Sequence, residues 1–263
     1  MKKNNYWESR IQEQEEKALE RNNKQTEKEL AKIYKQTANN VRNEILEVYT
    51  KIADEAEDEI LINDFYRNKR YWVLQARLNE LLNELGEEQI RITEPAILEM
   101  YEKTLELIDE EAPTFLVERK FLHPSVIDGK QALFQSWCLD GKNFSDRVWL
   151  DKKNMLLVLK EELNKNLLQG KSPWQTAQNV AERLEVSKAN AYRLMRTETA
   201  HAQIYGKIER YKEMGITNGK WIADSCSCPH CREHGGEIYP LSELASKIPA
   251  HPNCRCSFSA VIE

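Results

Sequence analysis

Apolar side chains recur at helical spacing along the first half of the chain, and neither Gly nor Pro interrupts residues 6–60. After the almost wholly polar residues 20–29, Tyr34, Ala38, Val41, Ile45, Val48 and Ile52 advance in steps of four and three. That is a seam of about three heptads, and it predicts one long helix or two joined end to end. At ~1.5 Å per residue, some fifty residues of helix would reach roughly 75 Å. An arm of that length packs either on a partner or against its own chain. Tyr71, Leu74, Leu78, Leu81, Leu82 and Leu85 predict a further helix that stops at Gly86. Ile97, Leu98, Met100, Tyr101, Leu105, Leu107 and Ile108 predict another over about 95–110, with Pro113 just beyond it.

The pattern then changes. Phe115, Phe121, Phe134, Trp137, Phe144 and Trp149 alternate with Pro124, Gly129 and Gly141, as in an irregular linker or docking segment. An amphipathic helix is expected over 152–168, ending near Gly170. Ser172-Pro173-Trp174-Gln175 reads as a capping box with Pro at the first helical position, opening a helix to about Leu184. Ser187 then caps a helix that continues to Met214 before Gly215, with Tyr192, Met195, Ile204, Ile208 and Tyr211 on its buried side. Three short segments, at 220–223, 237–239 and 257–262, read as strands, and 241–247 as a brief helix.

These elements imply a mainly α protein: long N-terminal helices and a helical bundle, then a small α+β C-terminal domain. The expected divisions are a charged helical arm or bundle over 1–112, an aromatic-rich linker or docking segment over 113–150, and a C-terminal domain over 151–263. Within the last, helices fill 152–214 and a small sheet 216–263.

Composition sharpens this picture. The chain has 263 residues, 31% charged and 41% hydrophobic, with a net charge of −5, which suits extended helices with much solvated surface. Residues 151–263 carry a net +3 and residues 1–150 a net −8. The acidic half is a poor wrapper of duplex DNA, because neutralising phosphates requires clustered cations. Any DNA contact by the other half is expected to be weak and non-specific. The longest apolar run, Met155 to Leu159, is far too short to cross a bilayer, so no membrane association is expected.

Of six cysteines, only Cys138 lies outside a 31-residue window. Clustering of this kind in a reducing compartment favours a metal over disulfides. Cys228-Pro229-His230-Cys231 and His251-Pro252-Asn253-Cys254-Arg255-Cys256 form two Pro-containing turns. Together they offer soft and borderline ligands at the spacing of a structural, tetrahedral Zn²⁺ site. Cys228, Cys231, His251 and Cys254 are the natural set. Cys256 lies two residues past Cys254 and could replace either downstream ligand, so four of these five are expected to bind. Cys226, His230 and His234 are peripheral.

The order of these residues resembles the phage minor head or head-morphogenesis proteins, whose C-terminal domain is called MuF-like. Arg196-Thr197-Glu198, Gly206, Trp221, Asp224, Cys228, Cys231, Gly235, Gly236 and Pro249 through Cys256 match the family pattern in sequence, over about residues 135–263. Cys226 is a departure from it. The resemblance implies a structural minor component of a tailed phage head, entering the procapsid in a few copies and influencing DNA packaging or ejection. The implied partner is the portal oligomer, with scaffold or capsid protein as further contacts, and the implied place of action is the virion after synthesis in the host cytoplasm. The heptad seam and the aromatic segment are the expected portal-binding surfaces.

Arg196, Glu198, Trp221, Asp224 and Arg255 are read as structural anchors. Arg196 and Glu198 are expected to tie their helix to the sheet, and Arg255 to offset thiolate charge or reach Glu198. Glu198 and His201 share a helix face and could in principle exchange protons. No nucleophile, phosphate loop or carboxylate cluster accompanies them, so no catalytic residue and no small-molecule substrate are expected. Two other readings compete with the structural one. A zinc-dependent nucleic-acid-binding module is opposed by the overall charge. A MuF-type enzyme would need an effector, and only seven residues follow Cys256.

Overall fold

The computed structural model describes residues 4–55, 69–111, 131, 133, 136–137, 140–224 and 227–261. Along them run the long helices α1 (Asn4–Glu55), α2 (Lys69–Glu111), α3 (Phe144–Leu168) and α4 (Pro173–Glu213). After these come β1 (Asn218–Ile222), the short helix α5 (Pro229–Glu233), β2 (Ile238–Pro240), the short helix α6 (Leu241–Lys247) and β3 (Ser257–Ala260). The mainly helical class with a small α+β C-terminal region is therefore the observed one.

α1 is unbroken over 52 residues, as the absence of Gly and Pro implies. α2 departs from expectation, because it continues through both Gly86 and Pro95 where two helices were predicted. Gly86 serves close packing here. A Cβ on it would lie 2.8 Å from Cζ3 of Trp149, so its missing side chain admits the α3 indole against the α2 backbone.

α4 is also a single helix, and Ser187 is an interior residue of it instead of a cap. The Ser187 side chain is fully buried and donates to Asp151 of α3 at 2.9 Å, so it turns to a neighbouring helix instead of its own backbone. The other punctuation holds. Ser172 Oγ accepts the Gln175 N–H at 3.3 Å and Gln175 Oε1 accepts the Ser172 N–H at 3.4 Å, which is the reciprocal capping box. Gly170 and Gly215 end α3 and α4 at φ 62° and 79°. The N–H of Lys171 bonds Asn166 O and that of Ile216 bonds Tyr211 O, at 3.1 and 2.9 Å, the closures of Schellman motifs. α3 starts at Phe144 instead of residue 152, so the expected irregular segment is partly helical. Phe115, Phe121, Phe134 and Cys138 lie outside the described residues.

The chain forms two compact units that interleave in sequence, where a division at 112 and 150 was expected. One comprises Lys28–Ile92 and Asp146–Tyr192. Its core joins Tyr34, Val41, Ile45, Val48 and Ile52 of α1 with Leu74, Leu78 and Leu85 of α2, Leu159 and Leu163 of α3, and Val180 and Leu184 of α4. The heptad seam is thus covered by the chain's own residues, which removes it as a docking surface for portal. Each such side chain contributes roughly 1.5–3 kcal/mol on full burial. A polar knot crosses this core. The buried Lys152 ammonium bonds Tyr34 OH and pairs with Asp151 at 2.9 Å, and Tyr34 OH donates to Gln89 at 2.9 Å. Burial pushes the Lys152 ammonium below the usual lysine range.

The other unit comprises Met1–Glu27, Thr93–Ser145 and Arg193–Glu263. Its sheet has the order β2-β1-β3 and both pairings are antiparallel, with Gly219 opposite Tyr239 and Trp221 opposite Phe258. The three strands were legible in the sequence, as was α6. Ile108 of α2 and Ile204, Ile208 and Tyr211 of α4 pack with Trp221, Leu244 and Phe258 around the cysteines. Two charges inside this unit are paired, as burial demands. Lys207 meets Glu15 at 2.8 Å with both side chains 2% exposed, and Arg210 bonds Asp109 and Glu213. No helix among the described residues is long and apolar enough to cross a membrane.

Candidate metal centre

The two sequence knuckles adopt different local structures. In the first, Cys228 is the N-cap of α5 in extended conformation and Pro229 takes the first helical position, where its missing N–H costs nothing. The helical turn brings the Cys231 N–H to 3.5 Å from Cys228 Sγ. In the second, the Cys254 N–H bonds His251 O at 3.0 Å and Asn253 has φ 60°. Pro followed by Asn is the pairing that a tight turn with a left-handed third residue uses. The expected similarity of the knuckles is therefore limited to their spacing, because Pro starts a helix in one and a β-turn in the other.

These turns converge. His251 Nε2 lies 3.4 Å from Cys228 Sγ and 3.4 Å from Cys231 Sγ, and Cys231 Sγ lies 3.9 Å from Cys254 Sγ. With Zn–S near 2.3 Å and Zn–N near 2.0–2.1 Å, a tetrahedral site has edges of about 3.8 Å for S···S and about 3.5 Å for S···N. The three distances fit those edges. His251 Nδ1 lies 3.0 Å from Pro252 O, a contact that holds its proton and leaves Nε2 as the lone-pair donor aimed at the thiols. The donor set thus fits a structural metal ion.

Electrostatics divides the thiols. The Cys231 N–H holds the Cys228 thiol below its usual range. Cys254 is held down to about 5, first by a hydrogen bond from Cys256 and then by the backbone N–H groups of Cys256 and Ala250. Burial pushes Cys231 up to about 12, and the bond to Cys254 raises Cys256. The Pro252 carbonyl raises His251. A bound ion would displace the protons that these thiols carry.

The anchors are arranged differently from the sequence reading. Arg196 reaches back to Glu27 of α1 at 2.5 Å, and the buried Glu198 accepts the Trp137 indole N–H at 3.0 Å. Thr197, between them, accepts the Asn253 N–H at 3.1 Å and so ties α4 to the second turn. Trp137 also stacks on His201 at 4.8 Å between centroids. Trp221 is buried and packs on His234 and Tyr239. The Asp224 backbone bonds Cys256, while its carbonyl accepts the Ser227 N–H at 3.0 Å. Arg255 does not approach Glu198. It is exposed and lies 4.0 Å from Glu20.

Sequence reasoning missed Lys207, Glu15 and Glu27. Their pairings span more than 160 positions, since the Arg196–Glu27 bond alone joins residues 169 apart, and no local spacing announces such contacts. A cavity of about 280 Å³ lies beside the second turn, lined in part by Glu15, Glu20, Asp224, Asn253, Cys254 and Arg255.

Two comparisons are negative, since no curated protein and no solved structure matches the chain. A family model described as Phage Mu protein F like protein matches residues 158–259, from within α3 through β3. The match includes Arg196-Thr197-Glu198 and all five candidate ligands, and it agrees with the resemblance drawn from the order of those residues. Residues 158–259 are thus similar to Phage Mu protein F like protein, a likeness that supports a phage head-related protein.

Proposed function

We propose that the chain is a structural minor head protein of a tailed bacteriophage, which associates with the portal in the procapsid and assists head morphogenesis, with effects on DNA packaging or ejection. The observation that carries this reading is the coincidence of the family match with the converging Cys/His donors in one small α+β region. On this reading the domain is held together by a structural Zn²⁺. Cys228, Cys231 and His251 supply three ligands and the turn ending at Cys254 and Cys256 supplies the fourth. The bound ion would satisfy buried thiolates and cross-link two turns beside a sheet too small to make a large core.

The protein works by assembly, without turnover of its own. The burial of Glu198 beneath Trp137 supports an anchoring role for that carboxylate. The virion is the proposed place of action, after synthesis in the host cytoplasm. Co-expression of the chain with the portal protein of the same phage, free of other phage components, tests the partner. Co-purification as one complex is expected. A chain that is folded by circular dichroism and elutes apart from assembled portal would overturn portal association.

A further inference from the structure

The five donors do not surround one point. They form two groups of three, Cys228–Cys231–His251 and Cys231–Cys254–Cys256, with the donor atoms inside each group within 4.8 Å of one another. Cys231 Sγ is the corner common to both. A single tetrahedral ion takes four donors and leaves one thiol of the downstream group idle.

Charge favours filling both groups. One divalent cation among three thiolates and a neutral imidazole leaves a net negative charge, whereas two divalent cations among four thiolates and that imidazole cancel. The shared part of the cluster is deeply buried, with Cys231, Cys254 and Cys256 at 0%, 3% and 5% exposure, where a neutral assembly is much less costly than a charged one. Each ion would still lack one ligand after its three protein donors. For the downstream ion, the cavity lined by Asp224, Asn253, Cys254 and Arg255 gives water or a small anion a route to that position.

We propose that this cluster takes a second thiophilic divalent cation, with Cys231 Sγ bridging the two ions. The inference rests on the metal reading of the first site. Each ion enters as M²⁺ and displaces the thiol protons of its ligands to solvent, with no change of oxidation state.

The test is titration of the full-length chain, stripped of metal under reducing conditions, with Cd²⁺. Native mass spectrometry is expected to show two ions per chain, and Cd²⁺–thiolate charge-transfer absorption should rise through the second equivalent. Cadmium NMR should give two resonances, both correlated with the Cys231 β protons. Cys256→Ser should reduce the load to one ion, whereas His230→Ala should leave it at two. A load of one ion in the unaltered chain overturns the bridge and leaves the metal reading standing, and a load of none overturns both. The His230 and His234 rings lie 4.9 Å apart. A second ion that survives Cys256→Ser, disappears in His230→Ala, or shows no correlation with Cys231 would belong to those surface histidines and overturn the bridge.

Discussion

Cys231 is fully buried among Trp221, Leu244 and Phe258 and lies within reach of both the His251 nitrogen and the Cys254 sulfur. On the proposed metal reading its sulfur would serve as ligand and as core atom at once. Cys231→Ser is expected to release the metal and to cost several kcal/mol, because the remaining thiolates lose their cation in a buried setting. At roughly 2–4 °C per kcal/mol for a chain of this size, the melting temperature should fall by on the order of 10 °C. Elemental analysis and a melting curve check this, and unchanged zinc in the variant would contradict it. Glu198 has a different task. Glu198→Gln keeps an acceptor for the Trp137 indole and should cost about 1 kcal/mol, leaving assembly intact. A turnover activity lost in this variant at an unchanged melting temperature would show that the carboxylate is catalytic. The convergence of the five donors was legible because metal chemistry demands particular residue types at short spacing. The role of Thr197 was hidden by its charged neighbours, since a hydroxyl that accepts one backbone N–H leaves no compositional trace.

At the level of elements, α3 and α4 are joined by Glu162. It accepts from Arg183 Nε at 3.0 Å and from Asn166 at 2.8 Å. Burial works against the charged form, yet the bonds from Arg183 and Asn166 leave the Glu162 carboxyl below its usual range. A carboxyl depressed in the folded state stabilises that state above its unfolded pKa, near 4.5, and loses this contribution as pH falls through the lower folded value. Glu162→Gln should therefore cost about 1 kcal/mol at neutral pH, since Arg183 is partly exposed and screened. The difference from the unaltered chain should shrink in acid. Denaturant midpoints at neutral and acid pH measure it, and a cost that grows in acid would contradict the assignment. Helix starts and ends were read correctly where they rest on local chemistry, as at Ser172–Gln175, Gly170 and Gly215. Gly86 and Ser187 misled because tertiary packing set their roles: the Trp149 ring at one, and the Asp151 carboxylate at the other.

For the whole molecule, the sequence suggested successive domains, but the compact units interleave because α1, α2 and α4 each contribute to both. Periodicity reports which face of a helix is apolar and not what covers it. The seam from Tyr34 to Ile52 was therefore compatible with a partner until Leu74, Leu78, Leu159 and Val180 were found on it. With that seam internal, the case for a head protein rests on the Phage Mu protein F like match over residues 158–259 and the donor cluster within it. The most direct measurement is quantitative mass spectrometry of purified procapsids and virions from cells producing the phage that encodes this chain. The chain should be present in both, in a few copies per particle and far below the major capsid protein. Its absence from procapsids and virions, with abundant chain left in the lysate, would contradict a structural role in the phage head.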